Sequence, residues 1–225
     1  ADWSEYFGYQ PADGSGDVYY HLDLLWAHPA IDAVGIDNYM PLSDWRDEDL
    51  GDANPDGFRG SDDPAGLESQ IAAGEGFDWY FAGEAERRDR IRAPITDGAA
   101  GKPLVFRYKD IEAWWSNPHH ERIGGVEQSA PTAWVPGMKP VWFTELGCPA
   151  VDKGANQPNV FPDPKSSEGQ IPYFSTGARS DLIQRRFMEA HLDHWSSRDV
   201  PAGMVAPAHI FGWTWDARPY PFFPE

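Results

Sequence analysis

Short runs of β-branched and aromatic residues recur along the chain and predict four strands. The predicted strands span residues 1–6, 33–39, 140–145 and 208–215, and the first is interpreted as the tail of a strand. Three of them have a carboxylate at or near the C-terminal end, namely Asp37, Glu145 and Asp216. Because α/β barrels place their chemistry at the carboxyl ends of parallel strands, these three residues are candidates for function.

Apolar residues at helical spacing predict helices between these strands. The predicted helices cover residues 17–27, 64–92, 109–117 and the segment that follows Ser180, which is a good N-cap residue. Gly74 and Gly76 weaken the middle of the second helix. An extra short strand is predicted at residues 104–108. The alternation of strand and helix is typical of an α/β fold with a parallel sheet.

The segment between the second and third predicted strands is too long for a simple crossover. We therefore predict one domain over residues 1–225, with an insertion at about 43–139 between two strands of the sheet. Residues 44–63 are rich in Asp and Gly, and we expect them to form an exposed acidic loop. Long loops after barrel strands usually build the substrate side of the fold.

The charge of the chain excludes several classes of partner. There are 36 acidic and 18 basic residues, a net charge of −18, which argues against binding to nucleic acid or to an anionic membrane surface. No apolar run is long enough for a membrane span. The single cysteine, Cys148, excludes an intrachain disulfide and a thiolate zinc site. A neutral polysaccharide remains compatible with this surface.

Several residues near the strand ends allow both a functional and a structural interpretation. Glu145 is either a catalytic carboxylate or a strand-end group that bonds a neighbouring Arg, Trp or Tyr. Asp37 either caps the following turn or binds a ligand, and Tyr39 either belongs to the core or faces the site. Glu5 is a possible second carboxylate, but a binding or structural role is favoured. His191 and His194 share a helix face, yet no third ligand occurs at a recognisable spacing, so no metal site is predicted.

Several segments resemble the later strands of TIM-barrel glycoside hydrolases that carry their nucleophile on strand seven. These segments are 3–6 (WSEY), 35–42 (GIDNYMPL), 142–147 (WFTELG) and 212–216 (GWTWD). The chain is more specifically similar to the glycoside-hydrolase-like TIM-barrel domain of gene transfer agent host-specificity proteins, which belong to phage-like tail tips. That similarity is carried by segments 107–110 (RYKD), 114–120 (WWSNPHH) and 161–167 (FPDPKSS).

The resemblance implies a (β/α)8 barrel in which this chain supplies the C-terminal half, strands five to eight. Glu145 would then occupy the nucleophile position of a retaining glycosidase, and its acid/base partner would lie upstream on strand four. Tyr39 would orient the Glu145 carboxylate. The resemblance places the remaining candidates, Asp37, Trp213, Trp215, Asp216 and Glu5, in the substrate site. One of the two tryptophans would stack on a sugar ring, with core packing as the alternative.

The implied function is hydrolysis of cell-envelope polysaccharide or peptidoglycan during attachment or penetration by a phage-like particle. The alternative is a non-catalytic carbohydrate-binding or structural module of the tail tip. No cofactor is predicted. The expected partners are the glycan and other tail-tip subunits or the rest of a larger polypeptide. The protein would be made in the bacterial cytoplasm and act outside the cell on the particle tail.

Overall fold

The computed structural model describes residues 1–51, 54–163, 167, 169–197 and 199–213. Its helices are α1 (Asp23–Trp26), α2 (Pro64–Ser69), α3 (Glu84–Arg88), α4 (Ile111–Ser116) and α5 (Asp181–Trp195). Its strands are β1 (Val34–Asn38), β2 (Trp79–Tyr80), β3 (Ala93–Pro94), β4 (Arg122–Ile123), β5 (Val126–Glu127), β6 (Val141–Leu146) and β7 (Val205–Gly212). Turns of 3-10 helix cover Asp47–Asp49, Pro103–Phe106 and Gly154–Asn156.

The principal sheet is parallel and has the order β1-β6-β7. A further parallel bridge joins Asp2 to Asp37, and the Asp37 N–H donates to the carbonyl oxygen of Ala1 at 2.9 Å. The first predicted strand is therefore reduced to a bridge at the free edge of β1. The four segments pair in the order in which they follow along the chain, which is the order of successive strands in a TIM barrel. The described residues do not close a barrel.

One face of this sheet is covered by α5. Ser180 caps the helix by accepting from the Ile183 N–H at 3.4 Å, as its sequence predicts. The Phe143 ring of β6 packs edge-on against Trp195 at 5.4 Å between ring centroids. Side chains that alternate with Phe143, such as Trp142 and Thr144, therefore lie on the opposite face of the sheet.

The predicted long helix at residues 64–92 is wrong. Only α2 and α3 are helical there, and between them lies β2, which pairs with β3 beyond α3 in an antiparallel ladder. Helix α2 ends at Ser69, and beyond it Gly74 and Gly76 adopt φ values of +72° and +84°, which lie in the left-handed region and do not continue a helix. An added Cβ at Gly76 would lie 2.0 Å from Cζ of Tyr108, so the glycine also makes room for that ring.

Two smaller predictions are also wrong. Of the predicted helix at residues 17–27 only α1 forms, because Val18 and Tyr19 make backbone bridges to Arg122 and Tyr9 instead. The predicted strand at residues 104–108 is a 3-10 turn that begins at Pro103, a residue well suited to a first helical position. The helix predicted at residues 109–117 is present as α4.

The acidic loop is less exposed than its composition predicts. Asp44 and Asp49 are buried, and Arg90 forms ion pairs with both, at 3.0 Å and 2.6 Å. Asp63 is buried as well and pairs with Arg59 at 3.1 Å. Asp44 and Asp49 thus neutralise Arg90, which follows α3, and Asp63 neutralises Arg59 within the loop. The three carboxylates therefore hold this part of the chain together and are not free surface charges.

The burial of His191 predicts that the fold is sensitive to acid. Burial, followed by the charges of His194 and Lys109, lowers the pKa of His191 to about 3. Between that pKa and the ordinary value of about 6.5 the unfolded chain binds a proton that the folded chain does not, so stability falls as the pH is lowered. We expect wild type to lose about 1.4 kcal/mol per pH unit below pH 6 relative to His191→Leu, measured by urea denaturation.

The matched control is His21→Leu, which removes an exposed histidine and should leave the wild-type pH dependence in place. Carboxylates that titrate in the same range are common to all three proteins and cancel in the comparison. Equal acid sensitivity of wild type and His191→Leu would show that His191 is not the acid-sensitive group.

Candidate functional site

The carboxyl ends of β1 and β6 bring Asp37 and Glu145 side by side. The two residues are Cα partners in the parallel ladder, and a shift of register falls between Ile36 and Asp37. Both side chains are partly exposed at this edge of the sheet. Neighbouring parallel strands end at the same edge, so the sheet gathers acidic groups from different parts of the chain.

The Glu145 carboxylate is held by a tyrosine from the neighbouring segment. The Tyr39 hydroxyl donates to Oε2 of Glu145 at 2.5 Å, and the tyrosine side chain is almost fully buried. Burial raises the pKa of Tyr39, and the hydrogen bond to Glu145 and the charges of Glu145, Asp37 and Asp2 raise it further. The phenol is therefore a permanent donor near neutral pH, and one carboxylate oxygen of Glu145 is fixed in place.

Asp37 is held differently from the turn cap considered in the sequence. The Thr144 hydroxyl donates to Oδ1 of Asp37 at 2.8 Å. Its neighbour Asn38 closes the following turn instead, by accepting from the Met40 N–H at 3.2 Å. Asp37 thus keeps its second carboxylate oxygen on the open face of the sheet, beside the strand that ends in Glu145.

Glu5 and Trp213 lie on opposite sides of this pair. Glu5 is exposed beyond the free edge of β1, in a turn where its backbone N–H donates to the carbonyl oxygen of Asp2 at 3.0 Å. Trp213 follows β7, is about half exposed, and donates its backbone N–H to the carbonyl oxygen of Leu146 at 2.8 Å. Trp215 and Asp216 lie outside the described residues.

Gly147 makes the approach of Trp213 possible. An added Cβ at Gly147 would lie 2.1 Å from the carbonyl oxygen of Trp213, far inside a van der Waals contact. The glycine in the Glu-Leu-Gly sequence therefore allows the end of β7 to meet the residue two positions after Glu145.

A stacked pair on the open face was not singled out from the sequence. The rings of Trp142 and His209 are parallel within 13° and 4.3 Å apart between centroids. Nε1 of Trp142 and Nδ1 of His209 are buried atoms without a hydrogen-bond partner in the described part of the chain. The alternation of side chains along the last two predicted strands could have placed both rings on one face of the sheet. Their stacking also depends on the register between the two strands, which the sequence does not give.

The loops that follow β1 and β6 are tied together beside the site. The amide of Asn156 accepts from the backbone N–H of Trp45 and donates to the carbonyl oxygen of the same residue, at 3.2 Å and 2.9 Å. Phe161 of the second loop packs edge-on against Tyr39 at 6.1 Å. The wall behind Tyr39 is thus built by both loops.

Outside this edge of the sheet, some histidines and acids serve packing. His119, for example, bonds Asp23 and the carbonyl oxygen of Trp114 inside the core. Over the residues that the structure describes, no group of three or more His, Cys, Asp and Glu side chains is placed to hold a metal ion. No helix among those residues is long and apolar enough to cross a membrane.

Parallel strands paired in chain order, with a helix on one face and carboxylates at the carboxyl edge, define an α/β protein and are typical of part of a TIM barrel. Residues 1–224 match the family model of the GTA TIM-barrel-like domain, and the chain belongs to that gene transfer agent family. No curated protein matches the chain significantly. The resemblance carried by the short sequence motifs is thereby confirmed at the level of the family.

Replacing Gly147 by Ala should disturb the site without removing any of its side chains. The new methyl group would collide with the Trp213 carbonyl oxygen, and such overpacking costs about 1–3 kcal/mol of stability. Urea denaturation measures this loss. Gly212→Ala is the matched control in the next strand, because its Cβ would meet only the flexible end of Met188 at 3.4 Å. Equal stability of the two variants would contradict the steric account of Gly147.

Proposed function

We propose that this chain forms strands five to eight of a TIM barrel, with residues 1–2 at the fifth position and β1, β6 and β7 as the sixth to eighth. The pairing of these segments in chain order and the family match support this assignment. The remaining strands would cover the face that carries Trp142 and His209. They would also supply partners for the unpaired ring nitrogens of these residues.

The proposed activity is hydrolysis of a glycosidic bond with retention of configuration. The hydrogen bond from Tyr39 to Glu145 carries this proposal, because it fixes a carboxylate at the edge of the sheet where barrel enzymes act. One oxygen of Glu145 accepts from Tyr39, and the other attacks the anomeric carbon to form a glycosyl ester. A second carboxyl group, about 5–5.5 Å away, protonates the leaving oxygen and then activates water to cleave the ester.

In this proposal the second carboxyl group comes from a strand on the opposite side of the barrel. The free oxygen of Asp37 accepts a hydrogen bond from a sugar hydroxyl. Trp213 supports a sugar ring by stacking, and Trp215, Asp216 and Glu5 complete the substrate site. Polysaccharide of the cell envelope or peptidoglycan is the proposed substrate. The protein would meet it on the tail of a phage-like particle outside the cell, after synthesis in the bacterial cytoplasm.

The second candidate is a module that binds carbohydrate or supports the tail tip without cleaving glycan. The half-exposed Trp213 favours it, because an exposed aromatic ring can still bind a sugar when chemistry is absent. The fold alone does not choose between the two candidates.

Glu145→Gln in the full-length protein should abolish hydrolysis while leaving glycan binding intact. Loss of the nucleophile should reduce turnover at least about a thousandfold, since the amide neither attacks nor carries negative charge. Release of reducing ends from purified peptidoglycan measures turnover, and co-sedimentation with the same material measures binding.

Tyr39→Phe isolates the orienting hydrogen bond. A bond to a charged group contributes about 1.5–3 kcal/mol, so turnover should fall roughly ten- to a hundredfold. Tyr19→Phe is the control, because it removes the hydroxyl that donates to Asp17 in a remote turn. Unchanged turnover of Glu145→Gln would refute the role of Glu145 as the nucleophile. Wild-type protein that binds glycan but never cleaves it would establish the second candidate.

A further inference from the structure

A cleft of about 470 Å³ opens within the insertion, and its walls carry no charge. It is lined by Tyr80, Pro94, Ile95, Thr96, Phe106 and Tyr108. Uncharged walls are notable in a chain with 36 acidic and 18 basic residues, and they do not suit an ionic ligand. Ring faces with hydroxyl groups beside them match a pyranose, which has an apolar face and a polar edge.

Two walls of the cleft are held by contacts with the rest of the chain. The Tyr108 ring lies against the backbone of Gly76 and meets Trp3 edge-on at 4.7 Å. Tyr80 pairs with Ala93 in the β2–β3 ladder, which fixes its backbone. Binding of a ligand should therefore cost little conformational entropy in ordering this surface.

The cleft adjoins the edge of the sheet that carries Glu145. Trp3 directly follows Asp2, which pairs with Asp37 in parallel, so the contact between Trp3 and Tyr108 lies at the carboxyl ends of the strands. Two strand spacings separate Asp2 from the strand of Glu145, a distance of about 10 Å. A glycan of several units that is cleaved at Glu145 would reach the cleft with a unit remote from the scissile bond.

We propose that this cleft is a subsite for an uncharged pyranose unit of the glycan that Glu145 acts on. The inference rests on the proposed function and adds to it a role for the insertion, which contributes all six lining residues. The subsite would favour long chains over short ones, because only a long chain occupies both the cleft and the edge of the sheet.

The test is a calorimetric titration of full-length protein with peptidoglycan glycan strands from which the stem peptides have been removed. Tyr80→Ala removes a half-exposed ring at the rim and should weaken binding about five- to tenfold. Tyr80→Phe keeps the ring and should retain most of the affinity. Thr96→Trp should block the cleft by filling it, without deleting any ring of its wall.

Tyr9→Ala is the matched control, because it removes a tyrosine of similar exposure from a different turn and should leave binding unchanged. Unchanged binding by both Tyr80→Ala and Thr96→Trp would overturn the subsite, as would the absence of wild-type binding to the strands. The hydrolase is judged separately by wild-type turnover, and the nucleophile by the turnover of Glu145→Gln. Weaker binding by Tyr80→Ala together with normal turnover of Glu145→Gln would keep the subsite and remove the proposed nucleophile.

Discussion

The position of β6 between β1 and β7 is the constraint on which the candidate site depends. A strand with parallel neighbours on both sides has its register fixed by hydrogen bonds to each of them. Each neighbour also places one residue beside the carboxyl end of the strand. On one side Asp37 stands opposite Glu145, and on the other Trp213 bonds the carbonyl oxygen of Leu146. On the face of the sheet covered by α5, Phe143 of the same strand packs against Trp195, so the strand that carries Glu145 is anchored in the core.

The parts of the fold that follow from local pattern were predictable. The strands β1 and β6 and the capped helix α5 form where short apolar runs and Ser180 predict them, because neighbouring residues decide these elements. The segment between β1 and β6 was not predictable in this way. The apolar spacing over residues 64–92 fits one helix, but α2 ends at Ser69, and Gly76 takes a left-handed conformation against the Tyr108 ring, which is a contact between distant segments.

The candidate site likewise has features that local sequence predicts and features that depend on contacts between distant segments. Glu145 and Asp37 stand at strand ends in the sequence, and the parallel ladder brings them together. The stack of Trp142 on His209 and the close passage of Trp213 over Gly147 depend on the register between strands, which hydrophobic alternation alone does not fix. Short motifs identified the family, whereas the proposed chemistry depends on a second carboxyl group on the opposite side of the barrel from Glu145.

The distance from the Glu145 carboxyl to the nearest carboxyl across the barrel, in an experimental structure of the full-length protein, tests the central claim most directly. A nucleophile on the seventh strand of a retaining glycosidase requires a partner about 5–5.5 Å away. We expect that separation, with the Tyr39 hydroxyl still bound to Glu145. A separation of about 6.5–9.5 Å would contradict the retaining mechanism, and the absence of any carboxyl group within about 10 Å would contradict the hydrolase itself.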